Sequence, residues 1–334
     1  MLHSLLLCLL SLVGLNAAEE VNVYSHRHYA ADQKLFAQFE NETGIKVNVI
    51  KASADQLIER LKQEGKNSPA DVLITVDAGR LHRAQEGKLL QPISSTVLME
   101  NVPEAFRDTE GHWFGLAIRS RVLIYAKDRV KPSDLSTYED LADPKWKNRI
   151  LARSSTNIYN QSLMASIIAA HGEAKAKEWA AAVLSNLARD PRGSDRDQMR
   201  GVAQGLADVA IANTYYLGLL EYTSEPKDVK AAKKLGVFFP NQGDRGAHVN
   251  VSAAGVTASS KNKANAIKLI EFLSSDEAQK VFAEANYEFP LKASNNQSAY
   301  LKSWGDFKKD AVDLSRLGEL NGAAVKVFDQ VGWK

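Results

Sequence analysis

The chain has 334 residues, with 42 Lys and Arg against 40 Asp and Glu and a formal net charge of +2. So even a balance supplies no basic field for gripping a phosphate backbone, which excludes nucleic acid as a partner. A hydrophobic share of 45% and a charged share of 25% are those of a soluble globular protein, and the length suits about two domains.

Leu5 to Leu15 is an apolar run too short to cross a bilayer, and Ala17-Ala18 and Glu19-Glu20 follow it. This pattern predicts a secretory signal peptide over residues 1–18, cut after Ala18. The chain's one cysteine, Cys8, leaves with it, so the exported protein has no disulfide and no thiolate for a metal or a nucleophile. Val21 to Ser25 then reads as a strand, and Ala31 to Glu40 as an amphipathic helix with Leu35, Phe36 and Phe39 on one side. A second strand is expected at Gly44 to Ile50, a helix at Ala54 to Glu64 ended by Gly65, and a short buried strand at Ala70 to Thr75.

After Gly115 the pattern restarts, with strands at Leu116 to Tyr125, Arg149 to Ala152 and Ala207 to Ala212. Helices are expected at Ser162 to His171 and Ala174 to Leu187, and a last strand at Gly246 to Thr257 precedes a helix at Asn262 to Leu273. Such alternation predicts an α/β fold with a parallel sheet covered by helices. Its restart predicts two lobes with a cleft, the ligand lying at the carboxyl ends of the strands.

Tyrosines fall on that edge. Tyr29 lies just beyond the first strand, Tyr159 before a helix, and Tyr215-Tyr216 after the strand ending at Ala212. Most tyrosines only bury a ring and satisfy one hydroxyl, but a phenolate is a hard anionic oxygen suited to a small, highly charged cation. Convergent tyrosines therefore point to ferric iron. In a strand the adjacent pair would face opposite ways, whereas in the first turn of a helix capped by Asn213 or Thr214 the two diverge by only about 100°. There the positive end of the helix dipole would favour phenolate over phenol.

The chain resembles the periplasmic ferric-iron-binding proteins of ABC importers, a bacterial transferrin-like family of substrate-binding proteins. The likeness runs through Val23-Tyr24-Ser25-His26-Arg27-His28-Tyr29, the segment Ala70 to Leu81, Gly111 to Leu116, Tyr138 to Lys147, and Asp208 to Tyr216. It implies the two-lobed periplasmic binding protein fold with extended hinge strands and iron held in the cleft by tyrosines. The discontinuous lobes would be 19–117 with 242–292, and 118–241 with 293–334. By the same resemblance the family's tyrosine pair falls on Tyr215 and Tyr216, its mid-chain tyrosine on Tyr159, and the extra tyrosine of its tyrosine-rich branch on Tyr29. Other branches use a histidine, a carboxylate and an exogenous anion such as carbonate or phosphate. His26, His28 and Asp77 can fill those places here, with His28 favoured because it adjoins Tyr29. A monomer that docks on an inner-membrane permease follows from the family.

Four phenolates around Fe(III) carry a net charge of minus one, so a nearby cation is stabilising. Arg119, where the chain should cross between lobes, is the candidate for that role or for holding an anion. Three phenolates would leave a neutral site with room for a synergistic anion such as carbonate. An importer component for an oxyanion or a small organic molecule is the alternative within the binding class. A secreted hydrolase is the rival from another class, but the chain has no G-x-S-x-G elbow and no H-E-x-x-H. The expectation is a binding protein and not an enzyme.

Overall fold

A computed structural model describes residues 19–27, 29–292 and 298–334; the expected signal peptide and the candidate ligand His28 lie outside the described residues. Strand β1 (Glu20–Ser25) leads through α1 (Ala30–Thr43) to β2 (Lys46–Lys51), and α2 (Ala54–Glu64) returns the chain to β3 (Val72–Val76). Leu35, Phe36 and Phe39 are buried on α1, as their helical spacing requires, and Gly44 ends the helix in the left-handed conformation. At the start of α2 the Ser53 hydroxyl accepts the Gln56 N–H while the Gln56 side chain accepts the Ser53 N–H, a reciprocal cap. All of β3 is buried, so its continuous apolar run is covered on both faces.

Helices α3 (Ala78–Glu86) and α4 (Thr96–Asn101) precede β4 (Phe114–Ala126), and β5 (Ile150–Leu151), α5 (Ile158–His171), α6 (Glu173–Asn186) and α7 (Asp195–Ala203) follow it. Then come β6 (Val209–Asn213), α8 (Tyr215–Glu221), α9 (Pro226–Lys233), β7 (Leu235–Phe238) and β8 (Val249–Val256). Helices α10 (Lys263–Ser274), α11 (Asp276–Ala285), α12 (Ala299–Lys302), α13 (Leu314–Glu319) and α14 (Asn321–Val331) complete the chain.

The strand order is β2-β1-β3-β8-β4-β6-β5, with β7 also paired to β4. Parallel pairing, expected throughout, is confined to β2-β1-β3 and to β5-β6; β8 and β4 run antiparallel to their neighbours. The reason is connectivity. β4 takes the chain from one half of the molecule to the other and β8 brings it back, and two passes side by side in opposite directions must pair antiparallel. Phe114 to Ser120 of β4 pairs with β8, whereas Arg121 to Tyr125 pairs with β6 and Leu123 to Ala126 with β7. A third contact between the halves is the bridge between Ile118 and Phe289. The fold is thus two-lobed, with α13 packing on both α3 and α5, and α14 packing on α5 and α6.

One helix boundary bears on the site. The helix expected from Ser162 begins at Ile158, because the Asn157 side chain accepts the Asn160 N–H and caps it. Tyr159 therefore sits inside the first turn of α5 and not before it.

Candidate metal centre

Each candidate tyrosine occupies the junction of a strand or loop with a helix start. Tyr29 holds the position before α1, where its N–H donates to the Asp32 carboxylate at 3.2 Å. Tyr159 is in the first turn of α5, and Tyr215 and Tyr216 open α8 directly beyond β6. The expected cap of α8 is not made. Thr214 already has helical angles, and its hydroxyl instead accepts the Ser120 N–H across the sheet at 3.4 Å.

These junctions bring the four rings together. The Tyr215 and Tyr216 rings have centroids 4.1 Å apart and planes inclined by 34°, far closer than the fanning expected from helical geometry alone. Tyr29 meets Tyr215 edge-on at 6.3 Å. Tyr159 packs with Val76 and Ile158, and Tyr216 lies against that group. A cavity of about 210 Å³ opens between His26, Arg27, Tyr29, Arg80, Tyr159 and Tyr216. Tyr159 is 9% exposed and Tyr215 only 1%, so their oxygens are largely withdrawn from water.

Burial sets their acidity. The Tyr29 phenol is pushed up to about 12, first by desolvation and then by Tyr159 and Glu288, against the pull of Arg119 and Arg27. Tyr215 is raised by desolvation and then by repulsion from Tyr159, Tyr216 and Tyr29, with Arg119 opposing; Tyr216 is raised by desolvation, Tyr159, Asp195 and Tyr29. This mutual repulsion follows from the packing of the rings, Tyr29 on Tyr215, Tyr215 on Tyr216, and Tyr216 on Tyr159. The expected favouring of phenolate by the helix end is overridden, because one short helix offers only about half a charge against full desolvation. The Tyr215 hydroxyl is buried with no hydrogen-bond partner among the described residues. Crowded, half-buried to buried phenols hold their protons until a strong cation displaces them, chemistry that suits a hard trivalent ion.

Two arginine clusters underlie the rings. Arg119 is 1% exposed, donates to Glu288 and Ser252, and lies with Cζ 5.3 Å from the Tyr215 ring centroid. Its Nε and Nη1 have no partner among the described residues. Glu288 also receives Arg27 at 2.9 Å, and Arg27 reaches Asp32 at 2.8 Å. Burial pushes the Glu288 carboxyl up, but Arg27 and Arg119 together hold it below the usual range. The second cluster centres on Arg121, which donates to Asp195 at 2.6 Å, to Asn160 at 2.7 Å and to Asn213 at 3.2 Å. Asp195 is shared with Arg153 at 3.1 Å. Arg121 thus ties together α5, which carries Tyr159, α7, and β6, which leads directly into the Tyr215-Tyr216 start of α8.

Arg121 was open to sequence reasoning, since it stands two residues from Arg119 and strand neighbours at that spacing share a face. Glu288 and Asp195 carry no local signal. Of the other residues weighed, His26 lines the cavity, while Asp77 is buried and wholly engaged in hydrogen bonds to Gly79, Ser162 and Asn250.

Residues 34–309 match the family of bacterial extracellular solute-binding proteins. Iron uptake protein A1 of Synechocystis is 50% identical over 316 residues, spanning 95% of this chain and 88% of that protein. The major ferric iron-binding protein of Neisseria meningitidis serogroup B is 30% identical over 325 residues, 95% of this chain and 94% of that one. Among solved structures, a Trichodesmium protein (IdiA, FutA) in complex with iron and citrate superposes with a TM-score of 0.92 at 52% identity, covering 94% of this chain and all of that one. The two-lobed fold, the tyrosine-lined cleft and these matches over nearly the whole length agree: the chain belongs to the bacterial extracellular solute-binding proteins.

Proposed function

We propose that this protein captures Fe(III) in the cleft between its lobes through the phenolates of Tyr29, Tyr159, Tyr215 and Tyr216, and delivers it to a membrane permease of an ABC importer. The observation that carries the reading is the convergence of tyrosines from three separate helix starts: Tyr29, Tyr159 and Tyr216 line one cavity, and Tyr215 packs against Tyr216 with ring centroids 4.1 Å apart. The naming of full-length relatives for iron uptake and ferric binding supports the same cargo. An oxyanion or small organic solute is not favoured, since neither needs four clustered phenols. His28 is proposed as a fifth donor from its place beside Tyr29 in the sequence. Arg119 is the cation behind Tyr215, and a small anion such as carbonate has Arg80 and Arg153 on the cavity wall to meet it.

The lobes are proposed as 19–117 with 242–292 and 118–241 with 293–334, rotating about β4 and β8. The protein acts in the periplasm as a monomer and catalyses no reaction. The test is direct: the purified protein mixed with a ferric salt should show a visible phenolate-to-iron band, which Y216F or Y159F should weaken and shift. A colourless mixture would refute the assignment.

A further inference from the structure

Asp77 holds a buried carboxylate that does not line the tyrosine cavity. It stands at the end of β3 with φ of 81°, a backbone conformation costly for a residue with a Cβ. A capping aspartate normally keeps a β-region backbone. Here the unusual angle accompanies a carboxylate turned to meet donors from three separate places. Its Oδ1 accepts the Gly79 N–H at 3.0 Å and the Ser162 hydroxyl at 2.5 Å, and its Oδ2 accepts the Asn250 side-chain amide at 2.9 Å. Asn250 in turn accepts the Ala78 N–H at 2.8 Å. Gly79 belongs to α3 of the first lobe, Asn250 to the hinge strand β8, and Ser162 to α5 of the second lobe.

Ser162 lies one helical turn beyond Tyr159 on α5, so whatever fixes Ser162 also fixes where Tyr159 stands relative to Tyr29. The approach is close. A Cβ on Gly79 would sit 3.5 Å from the Ile158 Cδ1 at the start of α5. We propose that Asp77 and Ser162 form a latch between the lobes, a buried hydrogen bond that seats α5 and thereby positions the Tyr159 phenolate on the metal. The proposal rests on the ferric reading of the cleft. Asp77 acts through Tyr159 and is a positioning residue, with no contact to iron required of it.

The experiment uses the full-length exported protein loaded with Fe(III). S162A removes the donor and leaves the Asp77 cap of α3 intact. Loss of the visible band to excess ferric chelator should be about tenfold faster in S162A, as befits one lost hydrogen bond to a buried carboxylate. The band maximum should not move, since every phenolate remains, and small-angle scattering should give a larger radius of gyration. S162T, which keeps the hydroxyl, should restore slow release. D77N combined with S162A should release no faster than the faster single variant, because both break the same contact. A wild type that binds iron beside an S162A variant equal to it in release and radius overturns the latch alone. Multiplying effects in the double variant do the same. A wild type that takes up no ferric ion overturns the functional reading and the latch with it.

Discussion

Replacing Tyr215 with Phe removes one oxygen from a ring that is 1% exposed and whose hydroxyl has no hydrogen-bond partner among the described residues. A buried hydroxyl left unpaired costs the folded state about 1–3 kcal/mol. Y215F should therefore stabilise the metal-free protein by about 1 kcal/mol, which for a chain of this size raises Tm by roughly 2 °C. With iron the sign reverses. A ligand that binds only the folded state adds about 1.4 kcal/mol for each decade of concentration above Kd, so each decade of affinity lost with the phenolate removes that much. Scanning calorimetry of metal-free and ferric forms, with the visible band followed in parallel, reads both effects. The expected result is a higher Tm than wild type without iron and a lower one with it. A lower Tm in the metal-free variant would mean that the hydroxyl is satisfied in the fold. An unchanged iron-dependent shift would mean that Tyr215 is not a ligand.

In the metal-free protein the Tyr29 phenol, pushed up to about 12, ionises later than in the unfolded chain, where the value is about 10. Its stabilisation is complete below about pH 10 and is lost as pH climbs toward about 12, so urea melts should weaken over that window, and less so in Y29F. His248 runs the other way: burial, then Arg245 and Arg121, hold its imidazole down to about 3. Its contribution is present above about pH 6.5 and is lost as pH falls toward about 3, and urea melts of H248Q should show a shallower acid dependence. Reduction to Fe(II), with a ferrous chelator present, should discharge the metal far faster than ferric chelation at neutral pH, and acidification should do the same. Stopped-flow rates that ignore both reductant and pH would mean that phenolates do not hold the ion.

What the sequence disclosed follows from how local each signal is. The spacing of Leu35, Phe36 and Phe39, the closing Gly65 and the apolar run into β3 each depend on a few adjacent residues, and the elements they announce are present within a few positions. Tyr159 was misplaced by a few residues because the cap of α5 is Asn157, which competes with the Ser154-Ser155-Thr156 run for that role. The mixed sheet was illegible because the partners of β4 are chosen by crossings that lie far apart in the chain. The arginine network was illegible for the same reason: Arg27 and Glu288 are 261 residues apart, and Asp77 and Ser162 are 85 apart. Tyrosine chemistry and the cation Arg119 could be inferred from residue type and position, whereas the carboxylates that meet the arginines, Glu288 and Asp195, could only be found by folding the chain.

Those charges bear on which ion the site accepts. Arg119 and Arg27 face Glu288 and Asp32, two guanidiniums against two carboxylates, so that cluster is close to neutral. Arg121 and Arg153 share Asp195 alone and leave one positive charge beside Tyr159 and Tyr216. Four phenolates leave one negative charge on a trivalent ion and two on a divalent one, and Arg80 on the cavity wall and Arg196 5.7 Å from the Tyr216 ring centroid add further positive charge to meet them. The raised phenols make the choice, because every proton removed must be displaced by attraction to the metal. A divalent ion offers less attraction for the same four deprotonations. On the proposed ligand set, selectivity for Fe(III) need not come from cavity size: desolvation makes the Tyr29, Tyr215 and Tyr216 phenolates expensive, and a small cation of high charge offsets that cost better than a divalent one.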